Sequence, residues 1–174
     1  TVLEGRPGAD GLLQFLAGRE VVLPDPEGWA GETLDLVFFK PTPGCRHIQP
    51  AWEALARILP QIGGAEAVAD VLVETYPLAL AFGERPDARH LLYDRLMSLP
   101  WGMAAALVHG GLGLEAVMAP APDPRIKAML PRIRLAEAAD ITADYPRALG
   151  ARVTVTRHDG QVLRGESALI YGEI

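Results

Sequence analysis

The sequence predicts an α+β domain, and three observations carry that prediction. A tight antiparallel hairpin is written over residues 151–166. There Ala151–Arg157 and Gln161–Glu166 alternate about Asp159-Gly160, the pair favoured in a two-residue type I′ turn. Two further stretches, 32–40 and 68–76, alternate with the period of strands. Between and after them, apolar residues recur at helical spacing, with no internal repeat and no low-complexity linker.

At 174 residues, with 49% hydrophobic residues, the chain has the length and apolar content to bury a core. No apolar run reaches the length of a membrane-spanning helix, and no charged segment followed by an apolar stretch marks a secretory signal. One cysteine excludes an internal disulfide and fits a reducing, cytoplasmic setting. A net charge of −6 argues against nucleic acid or an anionic membrane as partner. Asn is absent, and lysine occurs only at 40 and 127 among sixteen Lys and Arg. A lysine therefore carries more information here than an arginine. The chain begins with Thr1 and no preceding cap or strand, so it reads as one part of a longer polypeptide.

Asp10 caps a short helix over 9–17, striped by Leu12, Leu13 and Leu16 and ended by Gly18. Pro24, Pro26 and Gly28 make 19–31 irregular. Residues 1–31 are thus a lead-in, and 32–174 form the domain proper. In 32–40, Leu34, Leu36 and Phe38 face one side, and parity puts Lys40 with them. A Pro/Gly-stiffened loop follows, then a helix whose stripe is Ile48, Trp52, Leu55, Leu59 and Ile62, stopped by Gly63-Gly64. Val71, Val73 and Thr75 share one face of the next strand. A helical turn is expected over 78–82 and helix over 88–97. Ser98 then caps a helix over 99–109 with Pro100 in its first turn. One turn over 114–118, a helix over 125–131 capped at Asp123, and a strand over 133–141 precede the hairpin.

The loop Lys40–His47 carries the candidate chemistry. Lys40, on an apolar strand face, is either a desolvated base or anion-binding charge, or a strand-end lysine reaching water. Arg46 has the geometry to hold a carboxylate bidentately just ahead of a helix start, and His47 the pKa range to move a proton; both equally suit a solvated helix entry. Cys45 lacks a partner arrangement for a nucleophile and reads as a small packed residue. Ser98 is first an N-cap, though the same helix start favours an anion; Trp101 behind it is core or a substrate platform. His47, His90, His109, His158 and Cys45 show no metal-ligand spacing, so neither metal nor cofactor is expected.

The succession LEG…GLLQFLAG, FFKPTPGCRHIQPAWEAL, VLVETYP, RLMSLPWGMAAALVHG, DPRIKAML and ARVTVTRHDG resembles the second half of the MmgE/PrpD family in order and spacing. The resemblance implies a lid-type α+β domain whose active site is completed by a helical domain absent from this sequence. It also implies cofactor-independent lyase or isomerase chemistry (dehydration, decarboxylation or epimerisation) on a small di- or tricarboxylate, and a homodimer. Lys40, Pro43, Cys45, Arg46 and His47 match the family's loop. Thr42 replaces its usual aromatic, Gln49 a common second histidine, and Trp101 the tyrosine of its S-x-P-Y. Gln49 cannot act as a base and Trp101 has no acidic hydroxyl.

By this resemblance Lys40 and His47 stand near the proton transfers. Arg46 and the Ser98 helix start, with Trp101 and Cys45 beside them, bind the carboxylate. The alternative is a non-catalytic ligand-binding or oligomerisation module derived from the same domain.

Overall fold

The computed structural model describes residues 40, 42–83, 92–119 and 123–168, all within one compact unit. The expected helix over 9–17, the strand over 32–39 and the beginning of 88–97 lie outside the described residues.

A four-stranded mixed sheet organises the unit: β1 (Val68–Thr75), β2 (Ile133–Glu137), β3 (Ala151–Arg157) and β4 (Val162–Ser167), in spatial order β2-β1-β3-β4. β1 pairs antiparallel with β3 and β3 with β4, while β2 lies parallel to β1, Val71 opposite Ile133. A parallel neighbour requires a crossover. It is built from short helices: α2 (Pro77–Leu80), α3 (Leu92–Met97), α4 (Leu99–His109), α5 (Leu114–Met118) and α6 (Pro124–Met129). α1 (Gln49–Ile62) precedes β1, and α7 (Ala139–Asp144) follows β2.

Alternation decides which sheet face is covered. Val71, Val73, Val153, Val155, Ile133 and Leu163 point inward and are buried, as the parity of 68–76 and of the hairpin requires. The opposite face carries Asp70, Leu72, Glu74, Arg134, Arg152 and Arg164. There Arg134 grips Asp70 in a bidentate pair at 2.8 and 2.7 Å, and its hydrogen bonds hold the Asp70 carboxyl below its ordinary pKa. Arg152 collects Asp140 at 2.7 Å and Glu166 at 3.3 Å.

α1 covers β3 and β4 on the inner face, and α4 packs against α1, α6 and β2. From Leu99 to Leu107 every residue of α4 is buried, the signature of a helix enclosed on all sides. The buried side of α1 is turned from the expected stripe. Ile48, Leu55 and Ile62 are buried, but Trp52 and Leu59 sit at its margins while Ala51, Ala54 and Ile58 meet the sheet. The cause is close approach: a Cβ on Gly165 would lie 1.9 Å from the Ala54 carbonyl oxygen, so helix and strand touch backbone to backbone.

Two expected elements differ. The strand from Ile133 ends at Glu137, and Ala139–Asp144 turns into α7, because its alanines favour helix once the sheet edge is passed. The hairpin loop has three residues instead of two. Gly160 N–H donates to the Arg157 carbonyl at 3.0 Å, and Gly160 alone has positive φ (+86°). That is a type I turn with a glycine bulge, not the type I′ pair.

Gly165→Ala is expected to destabilise the fold by about 3 kcal/mol, the upper end of ordinary overpacking costs. A urea midpoint equal to the wild type's would show that α1 does not seat on β4 at this point.

Candidate functional site

The loop before α1 is held at four points. Gly44 adopts φ +116°, and a Cβ there would meet Ile48 Cδ1 at 2.7 Å and the Leu96 carbonyl oxygen at 3.3 Å. Glycine is the residue that fits both the backbone and the space. The Gly44 carbonyl accepts from Lys40 Nζ at 2.7 Å, Cys45 N–H donates to the Leu96 carbonyl at 2.8 Å, and Ile48 N–H donates to the Cys45 carbonyl at 3.1 Å. Arg46–Ile48 then forms a single 3₁₀ turn running directly into α1, with Pro50 in its first turn.

Strand parity would bury Lys40, but the side chain is exposed, its ammonium resting on the loop carbonyl. A terminal lysine on a four-carbon stem reaches water more cheaply than it desolvates. Arg46 is also exposed. Lys40, Cys45, Arg46 and His47 thus share one stiff loop with two cations at its surface.

Thr42 and Gln49, singled out in the sequence, meet each other. Thr42 Oγ1 donates to Gln49 Oε1, and Gln49 Nε2 donates back to the Thr42 carbonyl at 3.4 Å. Gln49 is fully buried, so these bonds offset the cost of sequestering its amide. Gln49 latches the loop onto α1.

His47 lies against two aromatic rings, Tyr76 and Phe82. Its Nδ1 is 2.8 Å from Tyr76 Oη, its ring stacks on Phe82 (5.7 Å between centroids, 12° between planes), and Tyr76 stacks in turn on Tyr145 at 4.5 Å. Tyr76 sits where β1 leaves the sheet before Pro77, fully buried in a small cluster with Ala79, Ala138, Ile141 and Leu149. Burial foremost, then Tyr145, pushes the Tyr76 hydroxyl pKa up, so its proton stays. Burial, then the Arg46 charge, lowers the His47 pKa below 6.5. At neutral pH the pair is a neutral imidazole and a neutral phenol.

Ser98 and Trp101 stand behind the loop, only 2% and 3% exposed. Ser98 Oγ accepts the Trp101 N–H at 3.2 Å, and Trp101 packs in the core with the Arg95 guanidinium 5.9 Å from its ring. Arg95 is itself buried and donates to the Ala119 carbonyl at 2.7 Å. Leu99 N–H donates to the Phe82 carbonyl at 2.8 Å, which ties the α4 start to the ring that stacks on His47. Half-buried Cys45 packs on the core. A basin of about 620 Å³ lies on the far sheet face, between Glu74, Arg152, Arg164 and Glu166. Its Arg152 is committed to carboxylates, so the loop is the stronger candidate. Among the described residues no three His, Cys, Asp or Glu side chains converge as metal ligands, and no helix is long and apolar enough to cross a membrane.

A sequence model of the MmgE/PrpD C-terminal domain matches residues 43–174. The chain belongs to the MmgE/PrpD family. No curated protein matches it. The matched span takes in Cys45, Arg46, His47, Ser98 and Trp101, and Lys40 lies three residues ahead of it. Tyr76 and Phe82 were not legible as site residues. The TYP run ending β1 lies within the matched span, but strand parity alone does not show that its ring meets a loop 29 residues earlier.

Two measurements test this pole. Because the folded His47 pKa is depressed, the unfolded chain binds more protons below about 6.5, and stability is lost as pH falls through that range. The urea midpoint of the wild type should therefore drop more between pH 7.5 and 5 than that of His47→Gln; parallel drops would remove the depressed pKa. Thr42→Val, which strips the hydroxyl from buried Gln49, should cost about 1–3 kcal/mol in the same assay.

Proposed function

We propose that this MmgE/PrpD C-terminal domain is the lid half of a cofactor-independent lyase or isomerase acting on a small di- or tricarboxylate. The observation that carries the reading is the loop that leads into the matched domain, which offers two exposed cations and a neutral imidazole in an otherwise acidic chain. Removing a proton alpha to a carboxylate builds enediolate charge, and fixed cations and N–H donors stabilise that charge. In this reading Arg46 binds a substrate carboxylate, Lys40 faces the developing charge, and His47 contacts the reacting end. Ser98, Trp101 and Cys45 support the loop from behind. A helical domain supplies the remaining groups, and the working protein is a homodimer.

The buried Thr42–Gln49 pair favours a second reading. An uncharged latch where relatives often carry a titratable ring suits a domain that binds a carboxylate without converting it.

The test is proton exchange. The full-length protein is incubated in D₂O with a panel of di- and tricarboxylates, and loss of the alpha-proton signal is followed by ¹H NMR. Exchange with at least one substrate is expected. Lys40→Ala should slow it by about 10²–10³-fold, the loss typical of one electrostatic contact to a transition-state oxyanion, without lowering the thermal midpoint. Binding without exchange selects the second reading, and unchanged exchange in Lys40→Ala removes the assignment of that lysine.

A further inference from the structure

The hydrogen bond between Tyr76 and His47 has a direction that its surroundings fix. Tyr76 is completely buried, so no solvent accepts its hydroxyl proton. Its Oη has one hydrogen-bonding neighbour among the described residues, His47 Nδ1 at 2.8 Å. A buried hydroxyl donates when an acceptor is within reach, since a sequestered donor without one is costly. Among the described residues the acceptor in reach is Nδ1, which accepts only when it carries no proton. The neutral ring must then hold its proton on Nε2.

We infer that Tyr76 is a positioning residue that locks His47 in its Nε2–H form, so that His47 presents a hydrogen-bond donor, and not a base, to a substrate carboxylate or enediolate oxygen. Phe82, stacked on one face of the ring, and the Tyr76 edge at 5.9 Å and 72° keep the imidazole from turning to exchange its nitrogens. Nε2 has no hydrogen-bond partner among the described residues and is not among their buried unpartnered atoms, which leaves it available to a ligand. A neutral imidazole donor facing an oxyanion stabilises charge without transferring a proton. Proton abstraction then falls to another group of the full-length protein. The inference rests on the carboxylate-binding reading for its ligand, but the bond direction rests on the burial of Tyr76 and its contact with Nδ1.

Among the described residues few charges face this ring. Arg46 and Lys40 lie on its own loop with the Cys45 thiol, Tyr76 and Tyr145 come from the end of β1 and the turn after α7, and Phe82 after α2 adds no charge. The experiment is ¹⁵N NMR of the His47 side chain in the substrate-free full-length protein, assigned by the signal missing in His47→Gln. Above the His47 titration, Nδ1 should be bare and Nε2 protonated; a proton on Nδ1 overturns the inference.

Tyr76→Phe supplies the sharper readout. Removing a donor that favours the neutral ring should raise the His47 midpoint by about 0.5–1 pH unit. If Nδ1–H instead donated to Oη, the same change would lower it or leave it in place, and either result overturns the inference. Should Tyr76→Phe fail to fold, the wild-type spectrum still decides. No substrate enters the measurement, so its failure leaves the carboxylate reading standing, and absence of proton exchange leaves the tautomer standing.

Discussion

The backbone contact between α1 and β4 governs the candidate site. Ala54 and Gly165 bring helix and strand closer than any pair of side chains allows, and that contact fixes both the height and the rotation of α1. Because the first turn of α1 continues the loop without a break, the position of Arg46 and His47 follows from a contact two helical turns away. The valine face of the sheet completes the seat. Burying each such side chain contributes about 1.5–3 kcal/mol, so the platform is far stiffer than the exposed ion pairs of the far face can make it.

Two independent supports converge on the loop from the other side. The α3–α4 junction holds Cys45 through the Leu96 carbonyl, and the end of β1 holds His47 through Tyr76. Neither support depends on charge. Among the described residues the Lys40 ammonium likewise rests on a neutral group, the Gly44 carbonyl.

Much of the fold was legible in the sequence, for reasons that differ by element. The helix over 99–109 was bounded correctly because its cap and its terminal glycine are local signals: Ser98 accepts from its own third residue, and Gly110 takes the left-handed conformation. The parity of β1 and of the hairpin strands was legible because alternation is a two-residue property. The parallel partner of β1 was not, since Ile133–Glu137 is joined to it by a long helical crossover that no local pattern encodes. The stripe of α1 was misjudged for a related reason. Large side chains dominate a periodicity argument, but backbone contact at Gly165 selects alanines. At the site, the loop and its charged residues stood out from composition and family pattern. The Tyr76 contact did not, because it joins the end of a strand to a loop through tertiary packing alone.

The Thr42–Gln49 latch has a consequence for how the pole responds to its medium. An imidazole at position 49 would give the loop a second ring whose protonation could loosen its own anchor. A carboxamide does not ionise, and threonine does not either. The closure at the base of the loop is therefore indifferent to acidity, and His47, its pKa depressed, is left to change charge on the acid side of neutrality above an anchor that keeps its shape.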